Sequence, residues 1–520
     1  MLTAPLVLLL VCALPRPELQ TPVSPRPTGP AVAEGAVATF VDGPVRLTGT
    51  SFGSAGPGRA LLIRDGTGVR TLPSTAPEVK SWTDREIRFR LPSGTGSGGV
   101  RVQTPAGLSD EAALDVYRYD WFDIPPTPGT NASPLAVAVG ADGRVWVNQE
   151  FHLEFQMLDP AVGAVQGLQI PKPPDPGPFA TTIFGDHRTQ MSTLGEDIFV
   201  DPDGRVWFSQ GGGYLYQGLW PNHSRIVCFD PAAPPGFEFR VYNLPGDWNE
   251  VIGLAWDEVR ERIWFTEGGL VSGAKIGTFD PERVPWDNHF DFSTSLDHLL
   301  CPPGGSWDDC ICIYLLPNPT AQPAHLLVDR DGFVWYTAYW GNAIGRLDPV
   351  TGVVTEYPLP PHIGKAPPAF IAGSGPWQIL QAPGGDIVFN EFFDSTIARF
   401  DILRLGDPAC LQLDAEGRNP CIEERVIPEA DLRDEQLHSI AYDTLGNLWY
   451  TIHTADEPDL RATLGYLTPS GDAVRLPPMS RFPGAGAPSF AGVAVDLHTG
   501  AIWFAEFWRK RLGRLERLPG

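Results

Sequence analysis

The stretch His325–Pro360, HLLVDRDGFVWYTAYWGNAIGRLDPVTGVVTEYPLP, divides into four short strands. His325–Val328 is apolar, and Asp331-Gly332 supplies a tight turn. Phe333–Thr337 alternates aromatic and polar residues, Asn342 opens a second connection, and Ala343–Leu347 forms a third strand. Asp348-Pro349 with Gly352 turns the chain into Val353–Leu359. Four antiparallel strands of this length cannot bury both faces, so the unit needs neighbours of its own kind.

The chain provides them. The same phrase returns as ADGRVWVNQ ending at Gln149, DPDGRVWFSQ ending at Gln210 and ERIWFTE ending at Glu267. It returns again as GGDIVFNE ending at Glu391, LGNLWYTI ending at Ile452 and TGAIWFAE ending at Glu506. With the copy inside His325–Pro360 that makes seven, spaced by roughly 50 to 70 residues. Such spacing predicts an all-β fold whose main part, residues 117–520, is a seven-bladed β-propeller. The Trp of each phrase reads as core, packing blade against blade.

Composition agrees with a turn-rich, all-β chain: 56 Gly and 54 Pro among 520 residues, with 42% hydrophobic residues. Acidic residues number 62 against 38 basic, a net charge of −24. That excess argues against nucleic acid and anionic membrane as partners, since both need a basic face.

The apolar run Leu6–Leu14 is too short to span a bilayer. It reads as the core of a secretory signal, residues 1–13, cleaved after Val11-Cys12-Ala13. No Lys or Arg precedes it, and Cys12 as a lipid-attachment site is the rival reading. Residues 14–30 follow as a linker, stiffened by the prolines of QTPVSPRPTGP at Gln20–Pro30. Cys410 and Cys421 bracket a polar insertion, and Cys301 lies just before Cys310 and Cys312. These look like loop staples of a secreted protein; the alternative is that they and Cys228 are all thiols.

Residues 31–116 alternate apolar and polar residues between Gly and Pro turns, the pattern of a small β-sandwich. The turn Gly49–Gly53, the phrase Trp82–Phe89 and the ending Val100–Ser109 resemble the IPT/TIG immunoglobulin-like family. That resemblance implies a spacer or a binding module. The last repeat ends without an outer strand, and YRYDWFDIPP at Tyr117–Pro126 looks like the missing one. Tyr117–Ile124 is therefore expected to close the ring and remove a free sheet edge. Insertions at Pro171–Gln190, Gly211–His223, Pro281–Asp309 and Gly406–Asp434 are expected to cover the channel ends.

In each blade the start of the first strand should lie beside the end of the second. Seven pairs follow: Leu135/Gln149, Glu196/Gln210, Ile252/Glu267, Ala324/Ala338, Trp377/Glu391, His438/Ile452 and Ala491/Glu506. Glu196, Glu267, Glu391 and Glu506 would then meet His438 at one mouth, with Glu150, Glu250, His325 and His453 one or two positions away. Crowded carboxylates either hold a cation or take up protons; otherwise each caps backbone in its own blade and faces water.

As a whole, the repeat in Trp335–Pro360 resembles the virginiamycin B (streptogramin B) lyase family. The resemblance implies opening of a cyclic depsipeptide at its ester by metal-assisted elimination, with a basic His at a strand start and Glu residues near Mg²⁺. His438 occupies the slot of that His. The family's Glu two residues earlier is Gln436 here, beside Glu435, and its Glu on the next strand is Ile452, beside His453. Its second His corresponds to Trp377, while Glu391 and Glu506 fill equivalent slots in neighbouring repeats.

The candidates are thus His438 and Glu391 for catalysis, and Trp377, His453 and Glu196 for substrate. Glu391, Glu506 and Glu267 are the candidates for Mg²⁺, with Ca²⁺ as the alternative. Three functions stay open. One is a lyase on a cyclic ester, with a small or peptide-like ligand at the channel mouth. Another is a non-catalytic secreted module gripping a glycan or surface protein. The third is a metal-dependent lactone hydrolase.

Overall fold

The structure, a computed structural model, describes residues 29–125, 133–150, 154–170, 193–194, 197–212, 224–244, 251–268, 273–286, 300–301, 310–360, 373–427, 435–454, 464–477, 489–507 and 509–520. The expected signal segment and most of the linker lie outside the described residues, as do most of the first three insertions. No helix among the described residues is long and apolar enough to cross a membrane.

The quoted stretch forms a four-stranded antiparallel sheet of Pro323–Val328, Val334–Ala338, Ala343–Leu347 and Val354–Pro358, hydrogen-bonded in that order. Its first turn shows what the repeated phrase is for. Asp329 Oδ1 accepts from the amides of Asp331 and Phe333, both at 2.9 Å, while Oδ2 accepts from Trp335 Nε1 at 2.8 Å. Gly332 sits at φ 82°, where a side chain is strained. Asp201 holds Trp207 at 2.8 Å and Asp443 holds Trp449 at 2.9 Å in the same way. One aspartate therefore shapes the turn and fixes the rotamer of the tryptophan on the strand that follows.

Each such tryptophan packs against the following sheet. Trp335 joins Ile379, Phe389 and Phe400; Trp264 joins Leu326 and Tyr336; Trp207 joins Leu254 and Phe265. Where the phrase reads GGDIVFNE, Val388 takes that place against Leu437 and Ile440.

Sheets of the same order follow one another along the chain. Sheet 1 spans Ser133 to Gln169, sheet 2 Thr193 to Asn243, sheet 3 Leu254 to Leu315 and sheet 4 Pro323 to Pro358. Sheet 5 spans Pro376 to Val426 and sheet 6 Glu435 to Arg475. A closing sheet contains Phe490–Val495, Ile502–Glu506 and Arg511–Arg517. The first strands of successive sheets touch in a closed cycle that returns from Phe490–Val495 to Ser133–Val139. This is the arrangement of a β-propeller.

The fourth strand of the closing sheet is Ala112–Asp123, antiparallel to Arg511–Arg517 with Tyr117 opposite Arg517 and Asp123 opposite Arg511. The same strand begins in the N-terminal unit, where Ala112–Leu114 pairs with Gly98–Val100. A parallel strand, Ala36–Phe40, pairs with its Ala113–Tyr117 portion. Val37 from that strand enters the N-terminal core with Leu47, Ile63 and Phe89, whereas Ala38 and Phe40 enter a cluster with Tyr466 and Val474 of sheet 6. The two units therefore share strands and do not hang from a flexible joint.

Within the N-terminal unit, the sequence phrases meet around one carbonyl. Phe52 O accepts from Arg59 Nε at 3.0 Å and Trp82 Nε1 at 3.2 Å, and Gly53 N donates to Asp84 Oδ1 at 2.9 Å. The Cys410–Cys421 disulfide closes the described part of the fourth insertion.

Candidate functional site

A polar residue near the end of the second strand sets the geometry of the channel in sheets 3 to 6. Thr337 Oγ1 accepts from His325 N at 3.1 Å and donates to Trp377 O of the next sheet at 2.6 Å. Thr266 does the same for Gly253 N, at 2.9 Å, and Ala324 O, at 2.7 Å. Asn390 links Gln378 N, at 2.9 Å, to Leu437 O, at 2.6 Å, and Thr451 links Ser439 N to Ala491 O. The latches at Thr337, Asn390 and Thr451 each divert a first-strand amide from its ladder, and a β-bulge lies at each of the three. Bulges lie between Pro134 and Val137, Pro323 and Leu326, Pro376 and Ile379, Leu437 and Ile440, and Phe490 and Val493.

The bulges overturn the expected pairing. Glu391 lies opposite Pro376 instead of Trp377, Glu506 opposite Phe490 instead of Ala491, and Ile452 opposite Leu437 instead of His438. A slip of one residue moves side chains to the other face of a strand. The glutamates have partners nearby. Glu267 bonds Lys275 Nζ at 2.9 Å. Glu506 accepts from Arg511 Nε at 2.6 Å, with Arg509 at 3.5 Å, and burial raises its pKa against the pull of both arginines.

Glu391 is 1% exposed, and its Oε1 lies 2.9 Å from the Ser374 hydroxyl. Burial, and then the charge of Glu424, hold its pKa well above the ordinary carboxylate value, so it is the proton donor of a carboxyl pair. Glu424 is itself pushed up to about 7, chiefly by burial and then by Asp394. Among the described residues, the groups of three ligand-type side chains close enough to share an ion are Cys301/Cys310/Cys312 and Asp407/Cys410/Cys421. Glu267, Glu391 and Glu506 form no such group. These side chains do not lie together as the Mg²⁺ or Ca²⁺ site expected of them requires. Glu196 lies outside the described residues, and His453 is described only in its strand position, opposite Gln436.

His438 and Trp377 do come together. Both line a channel cavity of about 50 Å³ with Asp197, His325, Gln378 and Ser439. His325 is 6% exposed, its Nδ1 lies 3.5 Å from Asp197 Oδ2, and its buried Nε2 has no hydrogen-bond partner among the described residues. Asp197 is fixed in turn by the amides of Ile198 at 2.9 Å and Leu254 at 2.8 Å. The Trp377 ring stands between the imidazoles, 5.2 Å from His325 and 6.2 Å from His438 between centroids. Tyr339, Phe392 and Phe393 extend this ring into an aromatic wall, with Tyr339–Trp377 at 5.0 Å and Phe392–His438 at 6.0 Å. Ser439 is occupied, donating to Gln378 Oε1 at 3.0 Å and accepting from Val493 N at 3.1 Å, so it is no nucleophile.

The sequence reading missed Asp197 and placed His325 one position outside its slot. The available signal was the hydroxyl or amide preceding the rim position: Thr337, Asn390 and Thr451 each sit at a bulge of the first strand.

No protein-family model matches the chain, and no curated protein matches its sequence. Among solved structures, a streptogramin B lyase is similar at 20% identity and a TM-score of 0.50, covering 77% of this chain and 98% of that one. A catalytically inactive histidine-to-alanine variant of virginiamycin B lyase from Staphylococcus aureus with quinupristin is similar at 19% identity and a TM-score of 0.49, covering 77% and 99%. At these identities the likeness is one of fold.

Proposed function

We propose that the chain is an exported seven-bladed propeller carrying an IPT/TIG-like sandwich, and that it performs acid–base elimination on a small ester with aromatic or apolar groups. The observation that carries this reading is the Asp197–His325 pair, with a buried Nε2 that has no partner among the described residues, beside His438 and the aromatic wall. Asp197 would hold the His325 ring in one orientation, with Nε2 turned to the cavity as a base needs. In the step proposed, His325 takes a proton from the carbon next to the ester-bearing carbon. The C–H pair becomes a double bond, the C–O bond breaks, and His438 protonates the departing carboxylate. The cavity itself holds little more than water, so the ligand would lie across the mouth on Trp377, Tyr339 and Phe392. No step here depends on Mg²⁺, since Glu267, Glu391 and Glu506 are engaged elsewhere. The Cys410–Cys421 bond is compatible with an extracytoplasmic location.

The small cavity also favours a second reading, a module that binds an aromatic-bearing peptide, glycan or surface protein without turnover. The test is incubation of the protein with cyclic depsipeptides and aromatic lactones, followed by mass spectrometry. An isomeric, unsaturated product that disappears in both His325→Ala and His438→Ala supports elimination. A product heavier by one water means a lactone hydrolase. Binding by calorimetry without product means the binding module.

A further inference from the structure

Cys301, Cys310 and Cys312 form a cluster with an unusual backbone basis. Leu300 and Ile311 make a parallel bridge, and Cys301 N donates to Ile311 O at 2.9 Å. Cys301 thus runs alongside Ile311, whose fully buried side chain enters the core shared by sheets 2 and 3. Cys310 and Cys312 flank Ile311 in an extended segment, and alternation along such a segment turns both to the side opposite it. Cys301 consequently straddles them, with Cα separations of 4.9 Å to Cys310 and 5.1 Å to Cys312. Both values suit a disulfide without backbone movement.

A sulfur forms one disulfide at a time. We infer that these three cysteines are a thiol–disulfide exchange site, in which one bond alternates between Cys301–Cys310 and Cys301–Cys312. The Cys312 thiolate attacks Cys301 Sγ; the Cys301–Cys312 bond forms as the Cys301–Cys310 bond breaks, and Cys310 departs as a thiolate. The proton lost by Cys312 ends on Cys310, and no oxidant or reductant is consumed. Cys301 is the most exposed of the three, while Cys310 and Cys312 are 8% and 7% exposed. The fourth cysteine of this region, Cys228, is fully buried, and burial raises its thiol pKa, which keeps it out of the exchange. Because Cys312 begins the outer strand of sheet 3, the exchange changes whether the staple anchors that strand or the residue before Ile311.

The test is a disulfide map of the full-length protein prepared without reductant, quenched in acid, alkylated with a maleimide and digested. The expected map has Cys301 oxidised in every molecule and maleimide divided between Cys310 and Cys312. Cys310→Ser should give only the Cys301–Cys312 bond and Cys312→Ser only Cys301–Cys310. If either variant fails to fold, the wild-type map decides alone. A single isomer in the wild type overturns the inference. So does a Cys301–Cys228 bond, or three reduced cysteines holding about one zinc ion per chain.

Discussion

Replacing Glu391 by Gln separates the carboxyl-pair account from the metal-site account. In the folded protein Glu391 lies well above its ordinary pKa, and Glu424 is pushed from 4.5 up to about 7. Both values are raised relative to the unfolded chain, so the pair contributes fully below about pH 4.5 and its contribution is lost as pH rises through about 7. Glu424 keeps its rise in the variant, because burial and Asp394 cause it while the bond from Glu391 lowers it. The substitution removes only the rise at Glu391, worth about 1.4 kcal/mol for each pH unit. The amide introduced by Glu391→Gln keeps a donor for Glu424 but carries no proton to lose. Wild type and Glu391→Gln should therefore match to within about 0.5 kcal/mol at pH 5, while at pH 8 the variant is the more stable by roughly 1 to 2 kcal/mol. Urea unfolding followed by tryptophan fluorescence at both pH values measures this difference. A variant with the same pH slope as the wild type would refute the shared proton.

Other perturbations test the frame and the channel. Thr337→Val leaves the buried Trp377 carbonyl without its donor and should cost about 1 to 3 kcal/mol in urea unfolding, with Thr337→Ser recovering most of it. Trp335→Ala should cost about 3 to 5 kcal/mol, because it empties the contact between sheets 4 and 5; a loss under about 1 kcal/mol would contradict the packing described. Removing the chain through Ile124 should lower the melting temperature more than removal through Asp115. The shorter deletion should also lower it, since Asp115 bonds Arg517 at 2.7 Å and Phe40 packs on sheet 6. Millimolar Mg²⁺ or Ca²⁺ should leave the melting temperature unchanged, and a rise of several degrees would show that the acidic groups bind cations after all.

Much of the frame was legible because one phrase carries several constraints at once. In Asp329–Trp335 the turn, the positive φ of Gly332 and the indole partner all fall on residues that recur at fixed offsets. The pairing at the rim was not legible in the same way. Strand alternation predicts faces correctly only while the ladder is regular, and Thr337, Asn390 and Thr451 break it from the side by capturing amides of the first strand. Glu391, next to one of those latches, was consequently paired with the wrong first-strand residue. His325 and Asp197 come from different sheets, 128 positions apart by their numbers, and no local pattern in a single sequence links them. The parallel strand Ala36–Phe40 was hidden for a related reason: its two faces serve two different cores, so it shows no simple alternation.

The joint between Ala112–Asp123 and Arg511–Arg517 also controls which edge may meet which during assembly. Its two strands lie about 400 positions apart, and bringing them together costs about 5 kcal/mol of chain entropy. Until then both edges are exposed templates for pairing with another molecule. Their charges discriminate. Arg514 meets Asp120 at 2.7 Å, Arg517 meets Asp115 at 2.7 Å, and Arg118 bonds Glu516. An edge bearing Arg514 and Arg517 repels a second copy of itself and is matched by Asp120 and Asp115 of its own chain. Salt weakens that discrimination, so refolding at high ionic strength should divert molecules from closed rings into strand-exchanged chains of rings.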